Sequence, residues 1–280
     1  MEIVKDKLIP VTSVRAGKGE ELSADVFMYT NQVVNLFFVE IPGPEKKWVM
    51  VDTGMPKSAE TLRDLVELRY GEGSKPEAII LTHGHFDHVG AVEELVELWN
   101  VPVYAHPLEL PYLTGKQNYP EPDSTVEGGM VAKLSSMMFP NEAINLGNKV
   151  TVLPEDHSVP FLPEWKWIHT PGHAPGHISL FRETDGMLLV GDAFVTVKQE
   201  SLYKVLVQEQ EISGPPRYLT TDWRQAWESV KKLQALNPSV AATGHGAPMA
   251  GELLKTSLDK LVQEFETIAI PDHGRYVDGN

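Results

Sequence analysis

Short apolar runs recur along the chain at 33–40, 48–51, 78–81 and 101–105. A second set lies at 165–169, 178–181, 187–190 and 240–242. These runs are rich in β-branched and aromatic residues and are bounded by turn formers, which predicts strands. Between them the spacing changes to three and four. In "SAETLRDLVELRYG" Leu62, Leu65, Val66 and Arg69 share one face, with Ser58 as the expected cap and Gly71 as the stop. "AVEELVELW", "DWRQAWESVKKLQALN" and "GELLKTSLDKLVQEFETI" predict three further helices. Strands and helices alternate through both halves, which predicts an α/β fold. Each half also ends a strand in a His-bearing turn, "IILTHGH" and "VAATGHG", so two similar lobes are expected. Two stretches break the pattern, 106–163 and 196–221. Irregular segments that long are commonly functional loops or lids.

The segment "LTHGHFDHVG" sits in a strand-to-helix turn, an edge where α/β proteins place ligand sites. In extended chain His83 and His85 point the same way, because side chains repeat every second residue. The turn then brings Asp87 and His88 toward the same space. Neutral imidazole and carboxylate are the ligands that zinc takes when thiolate is absent, and this chain has no cysteine. Further candidates also follow strands: Asp52 in "VMVDTG", His173 in "HTPGHAPGH", Asp192 in "LLVGDAF" and His245 in "ATGHGAP". A lone histidine is more often a satisfied polar residue than a ligand, so these gain weight from their order. His169 and His177 read as structural. His106, His157 and His273 read as surface or loop residues, and "PDHGRYVDGN" as a polar tail.

The succession HxHxDH, a lone His, GD and GHG, over about residues 31–250, is similar to the metallo-β-lactamase superfamily signature. "TPGHAPGH" resembles the glyoxalase II and lactonase branches. The resemblance implies an αββα sandwich over a single 1–280 domain, with the metal site at the rim between the sheets. It also implies two divalent metal ions, zinc first, with iron or manganese as alternatives. One would be held by His83, His85 and His173, the other by Asp87, His88 and His245. Asp192 would bridge them, and Asp52 would orient the His-rich loop from behind. Two metals about 3.5–4 Å apart can share a hydroxide that attacks a carbonyl or phosphoryl centre. Asp87 is the candidate to guide its proton, although a ligand carboxylate is a poor base.

Composition narrows the substrate. The net charge of -15 disfavours polyanionic partners and anionic lipid, so neither nucleic acid nor membrane is expected. The apolar run "VVNLFFV" is far short of a membrane span, and "MEIVKDKLIP" lacks the apolar core of a signal peptide. A cytoplasmic location is the expectation, with a homodimer left open. Glyoxalase II carries a basic C-terminal region, whereas only Lys255, Lys260 and Arg275 are basic after His245. Lactonases carry a tyrosine where this chain has Val195; Tyr203 and Tyr218 are candidate substitutes. Met130, Met137, Met138, Phe139, Phe161, Tyr203 and Tyr218 are the candidate pocket residues in the two irregular stretches. The expected function is a dinuclear zinc hydrolase of a small ester, lactone or thioester. A phosphodiesterase, an iron-dependent sulfur dioxygenase and a non-catalytic metal-binding relative are the alternatives.

Overall fold

Strand direction decides where the chemistry collects. The computed structural model describes residues 13–126, 139–197 and 210–277, and the chain divides into two units, 1–119 with 142–163 and 120–141 with 164–280. The first unit carries a seven-stranded sheet in sequence order: β1 (Gly19–Glu21), β2 (Val26–Asn31), β3 (Val34–Glu40), β4 (Trp48–Val51), β5 (Ala78–Ile80), β6 (Val103–Ala105) and β7 (Val150–Val152). β1 to β4 are antiparallel neighbours, and β4 to β7 run parallel. Parallel neighbours need crossovers. Helix α1 (Ala59–Tyr70) makes the first; α2 (Phe86–Val89) and α3 (Val92–Trp99) make the second. A 3-10 turn (Pro107–Glu109) and α4 (Leu110–Leu113) follow β6. Because β4, β5 and β6 run parallel, Asp52, the His-rich loop and the 3-10 turn all leave the same edge of the sheet.

α1 buries Leu62, Leu65 and Val66, and α3 buries Val92, Leu95, Val96 and Trp99. Both pack into one core with Leu36, Phe38, Trp48, Met50, Ile79 and Leu81 of the sheet. Each fully buried side chain of this kind contributes about 1.5–3 kcal/mol. Ser58 precedes α1 without capping it: its hydroxyl donates to Met55 O at 2.6 Å instead. Arg69 stays half-buried, lying over the Phe27 ring and pairing with Glu21.

The second sheet has six strands, β8 (Ser158–Val159), β9 (Leu162–His169), β10 (Ile178–Arg182), β11 (Met187–Gly191), β12 (Val240–Thr243) and β13 (Met249–Ala250), in the order β13-β12-β11-β10-β9-β8. β10 is antiparallel to both β9 and β11, and β11 is parallel to β12. The loops after β9, β11 and β12 therefore leave one edge, and they carry His173, Asp192 and His245. Helix α5 (Trp223–Ala235) is capped by Asp222, whose carboxylate accepts from Gln225 N at 2.8 Å. The last predicted helix is two, α6 (Gly251–Gln263) and α7 (Phe265–Ile268), with Glu264 off helical geometry between them. α5, α6 and α7 close the core of this unit over Leu188, Val190 and Ala241. The described residues contain no helix long and apolar enough to cross a membrane.

Candidate metal centre

In the first unit every donor proposed from the sequence is buried: His83, His85, Asp87 and His88 are each at most 7% exposed. β5 ends just before them, and α2 turns Asp87 and His88 back over the loop. The His83 ring lies 4.6 Å from that of His85 and 4.2 Å from that of His88. One donor atom each of His83 and His85, of His83 and His88, and of Asp87 and His88 lies within 4.8 Å of the other. Burying this many polar groups is costly unless hydrogen bonds or a cation compensate.

Asp52 joins Thr82 to His88. Its Oδ1 accepts from Thr82 N at 2.8 Å, and its Oδ2 accepts from the Thr82 hydroxyl at 2.7 Å and from His88 Nδ1 at 2.8 Å. These contacts decide tautomers. The Thr82 hydroxyl has one proton, given to Asp52, so at 3.0 Å from His83 Nδ1 it accepts. His83 and His88 are thus both held with the proton on Nδ1 and the lone pair on Nε2, the form that binds a metal. Thr53 adds a grip that the sequence did not reveal: its N–H and hydroxyl both donate to His88 O, at 2.7 and 3.0 Å. The signal was present as the "DTG" triplet directly after a strand.

The second unit repeats the arrangement. Asp192 is 2% exposed, and its Oδ2 lies 3.6 Å from His173 Nε2 and 3.3 Å from His245 Nε2. The Thr220 hydroxyl donates to Pro216 O at 2.8 Å, so it accepts from His173 Nδ1 at 3.2 Å. His173 is again left with its lone pair on Nε2. His177 is structural, as expected, and its bonds explain how. Its Nε2 accepts from Asp192 N at 2.8 Å, so its Nδ1–H donates to Thr170 Oγ1, also at 2.8 Å. Thr170 passes its proton to Ser179 Oγ, which donates to Val190 O. With both ring nitrogens so engaged, His177 orients the Asp192 backbone and is no ligand.

The irregular stretches meet these clusters at their ends. Thr196 N donates to His245 O, and Thr220 holds His173. Glu109 and Tyr119, in the first stretch, both reach Gly84 N, at 2.9 and 3.0 Å. Burial, with Glu109 beside it, pushes the Tyr119 phenol well up, so it stays a neutral hydroxyl. Phe139 and Tyr218 stack at 4.9 Å within a small apolar group that includes Val126. Met130, Met137, Met138 and Tyr203 lie outside the described residues. His157 and His273 are exposed, as expected. His106 is a loop residue, as read, but a buried one and not a surface one: its Nδ1 accepts from Leu108 N at 3.3 Å and caps the 3-10 turn. The tail is also more than polar filler. Arg275 N donates to Asp123 Oδ2 at 2.5 Å, and the Arg275 guanidinium to Glu121 O.

Residues 29–245 match the model of the metallo-beta-lactamase superfamily. The chain belongs to the metallo-β-lactamase superfamily. It is 48% identical over 265 residues to a probable metallo-hydrolase, YflN, of Bacillus subtilis, covering 95% of this chain and all of that one. A hydroxyacylglutathione hydrolase of Pectobacterium carotovorum is 28% identical over 58% of this chain and 44% of its own length. Among solved structures, TTHA1623 in a di-iron-bound form matches at a TM-score of 0.54, with 27% identity over 80% of this chain and 93% of that one. ST1585 of Sulfolobus tokodaii matches at 0.58, with 19% identity over 92% and 85%. The fold is the α/β metallo-β-lactamase fold expected from the sequence, and the chain is a metal-dependent hydrolase of that superfamily.

Proposed function

We propose that this hydrolase is dinuclear and cleaves a small carboxylic ester, lactone or thioester. In this reading His83, His85 and His173 hold one divalent cation, and Asp87, His88 and His245 hold the other. Asp192 is shared by both. The observation that carries it is the set of fixed tautomers: His83, His88 and His173 each have Nδ1 engaged by a hydroxyl or carboxylate oxygen. Such partners orient an imidazole for metal binding and raise its basicity. The donor set is imidazole and carboxylate with no thiolate, which suits zinc, while a di-iron relative keeps iron as the second reading. When bound, two such cations supply a polarised water as nucleophile and a Lewis acid for the scissile carbonyl.

The chain's own residues do the rest. Asp192, held through its N–H by His177, keeps one carboxylate oxygen facing His173 and His245. Asp87, with a donor atom within 4.8 Å of one of His88, guides the proton of the attacking water in this reading. The acidic surface and the similarity to a hydroxyacylglutathione hydrolase favour an acyl substrate over a phosphodiester in a polyanion. Segments 106–163 and 196–221 choose the substrate in this reading, with Phe139 and Tyr218 as apolar contacts.

The test is elemental analysis of purified protein together with a panel of chromogenic esters, lactones, thioesters and phosphodiesters. Two metals per chain and turnover of acyl substrates are expected. Asp192→Ala should retain the fold, lose one metal, and lower kcat/KM by about 100-fold or more. One metal per chain at saturation, or Asp192→Ala with both metals and normal turnover, sinks the dinuclear assignment. Turnover confined to phosphodiesters sinks the acyl reading.

A further inference from the structure

Glu109 is completely buried, although it sits in a stretch that the sequence marks only as irregular. A carboxylate in that position is costly unless hydrogen-bonded. Its Oε2 accepts from Gly84 N at 2.9 Å and from the Tyr119 hydroxyl. The same Gly84 N–H also reaches the Tyr119 hydroxyl oxygen at 3.0 Å. Gly84 is the residue that separates His83 from His85. The Tyr119 ring lies 4.4 Å from the His85 ring and stacks on Tyr112 at 3.9 Å. The space is filled: a Cβ at position 84 would stand 2.9 Å from Tyr119 Oη and 3.3 Å from Glu109 Oε2.

We propose that Glu109 and Tyr119 are positioning residues that hold the backbone between His83 and His85 and aim both imidazoles at their cation. An i, i+2 pair of ligands is only as well aligned as the backbone joining them. The Gly84 N–H belongs to the peptide that leaves His83 toward His85, and two side chains clamp it at once. Tyr119 acts a second time by packing on His85. Asp52 and Thr82 fix the tautomer of His83; Glu109 and Tyr119 fix the path of the chain that follows it. The proposal rests on His83 and His85 being metal ligands.

The experiment compares wild type with Glu109→Gln, Tyr119→Phe and Tyr112→Phe. Tyr119→Phe keeps the ring on His85 and removes the hydroxyl from Gly84. Tyr112→Phe alters the same aromatic stack without touching Gly84. Zinc and cobalt affinities are measured by chelator competition, the cobalt absorption bands report ligand geometry, and melting temperatures are taken with and without metal. Glu109→Gln and Tyr119→Phe should weaken the equivalent that His83 and His85 serve about 10-fold or more, shift the cobalt bands, and shrink the metal-induced rise in Tm. Tyr112→Phe should behave as wild type. Should Glu109→Gln fail to fold, Tyr119→Phe decides alone. Unchanged metal affinity and cobalt bands overturn the proposal. So does an equal fall in Tm with and without metal, or an effect of Tyr112→Phe as large as that of Tyr119→Phe. If wild type itself binds no metal, it is the ligand assignment that fails.

Discussion

Replacing Asp52 by Asn changes one atom and should change which nitrogen of His88 can bind a metal. Asp52 has a φ of 61°, a region that Asp and Asn tolerate far better than most residues, so Asn enters without added backbone strain. The bond from Thr82 N to Oδ1 survives. The amide group replaces Oδ2, which accepts from both Thr82 Oγ1 and His88 Nδ1. Both former donors then face a donor. The cheapest repair is for His88 to accept at Nδ1 and carry its proton on Nε2, which removes the lone pair a cation needs. Hydrogen bonds to a charged group contribute about 1.5–3 kcal/mol each, and rearrangement recovers part of that loss, so the fold should survive with lowered stability. Loss of a ligand-orienting carboxylate typically weakens metal affinity about 10–100-fold, which is about 1.4–2.8 kcal/mol. Chelator competition should show the loss in the equivalent that His88 serves. Long-range proton–nitrogen spectra of the metal-free protein should show His88 protonated on Nε2. An Asp52→Asn variant that binds both cations within about twofold of wild type, or that keeps the Nδ1–H tautomer of His88, would refute this account.

Two further outcomes follow from local geometry. The Asp123 carboxyl is raised by burial but lowered more by the Thr125 hydroxyl and N–H and by Arg275, so it sits below its ordinary value. A depressed carboxyl stabilises above its unfolded pKa of about 4 and loses that contribution as pH falls through the folded value. Asp123→Asn should therefore cost about 1–3 kcal/mol at pH 7, and urea titrations should show the difference from wild type shrinking as pH falls below the unfolded value of about 4; a constant difference as the pH falls would count against it. Gly90 closes the His-rich turn, and a Cβ there would sit 2.1 Å from Pro56 N and 2.3 Å from Met55 C. Gly90→Ala meets backbone that cannot swing aside, so a loss of about 3 kcal/mol or more is expected in denaturant unfolding, and a loss under about 1 kcal/mol would contradict the contact.

The strands at 48–51 and 240–243 were legible because their apolar runs are continuous and end in polar turns. β2, "VFMYTN", was missed although it is rich in β-branched and aromatic residues; it pairs with β1 on one side and β3 on the other. The ligands were legible for a chemical reason. Imidazole and carboxylate bind cations wherever they stand, and crowding them at the ends of strands leaves a mark in the residue order itself. Their aim was not legible. Thr82 serves Asp52 across 30 positions, Glu109 serves Gly84 across 25, and Thr220 serves His173 across 47. Threonine, glutamate and tyrosine are common residues that carry no signal until the chain brings their partner within hydrogen-bond reach. Which atoms could bind a metal was therefore decided by residue identity. Which nitrogen carries the lone pair was decided by contacts between distant residues, because a tautomer is set by a hydrogen bond, and a hydrogen bond exists only once the chain has folded.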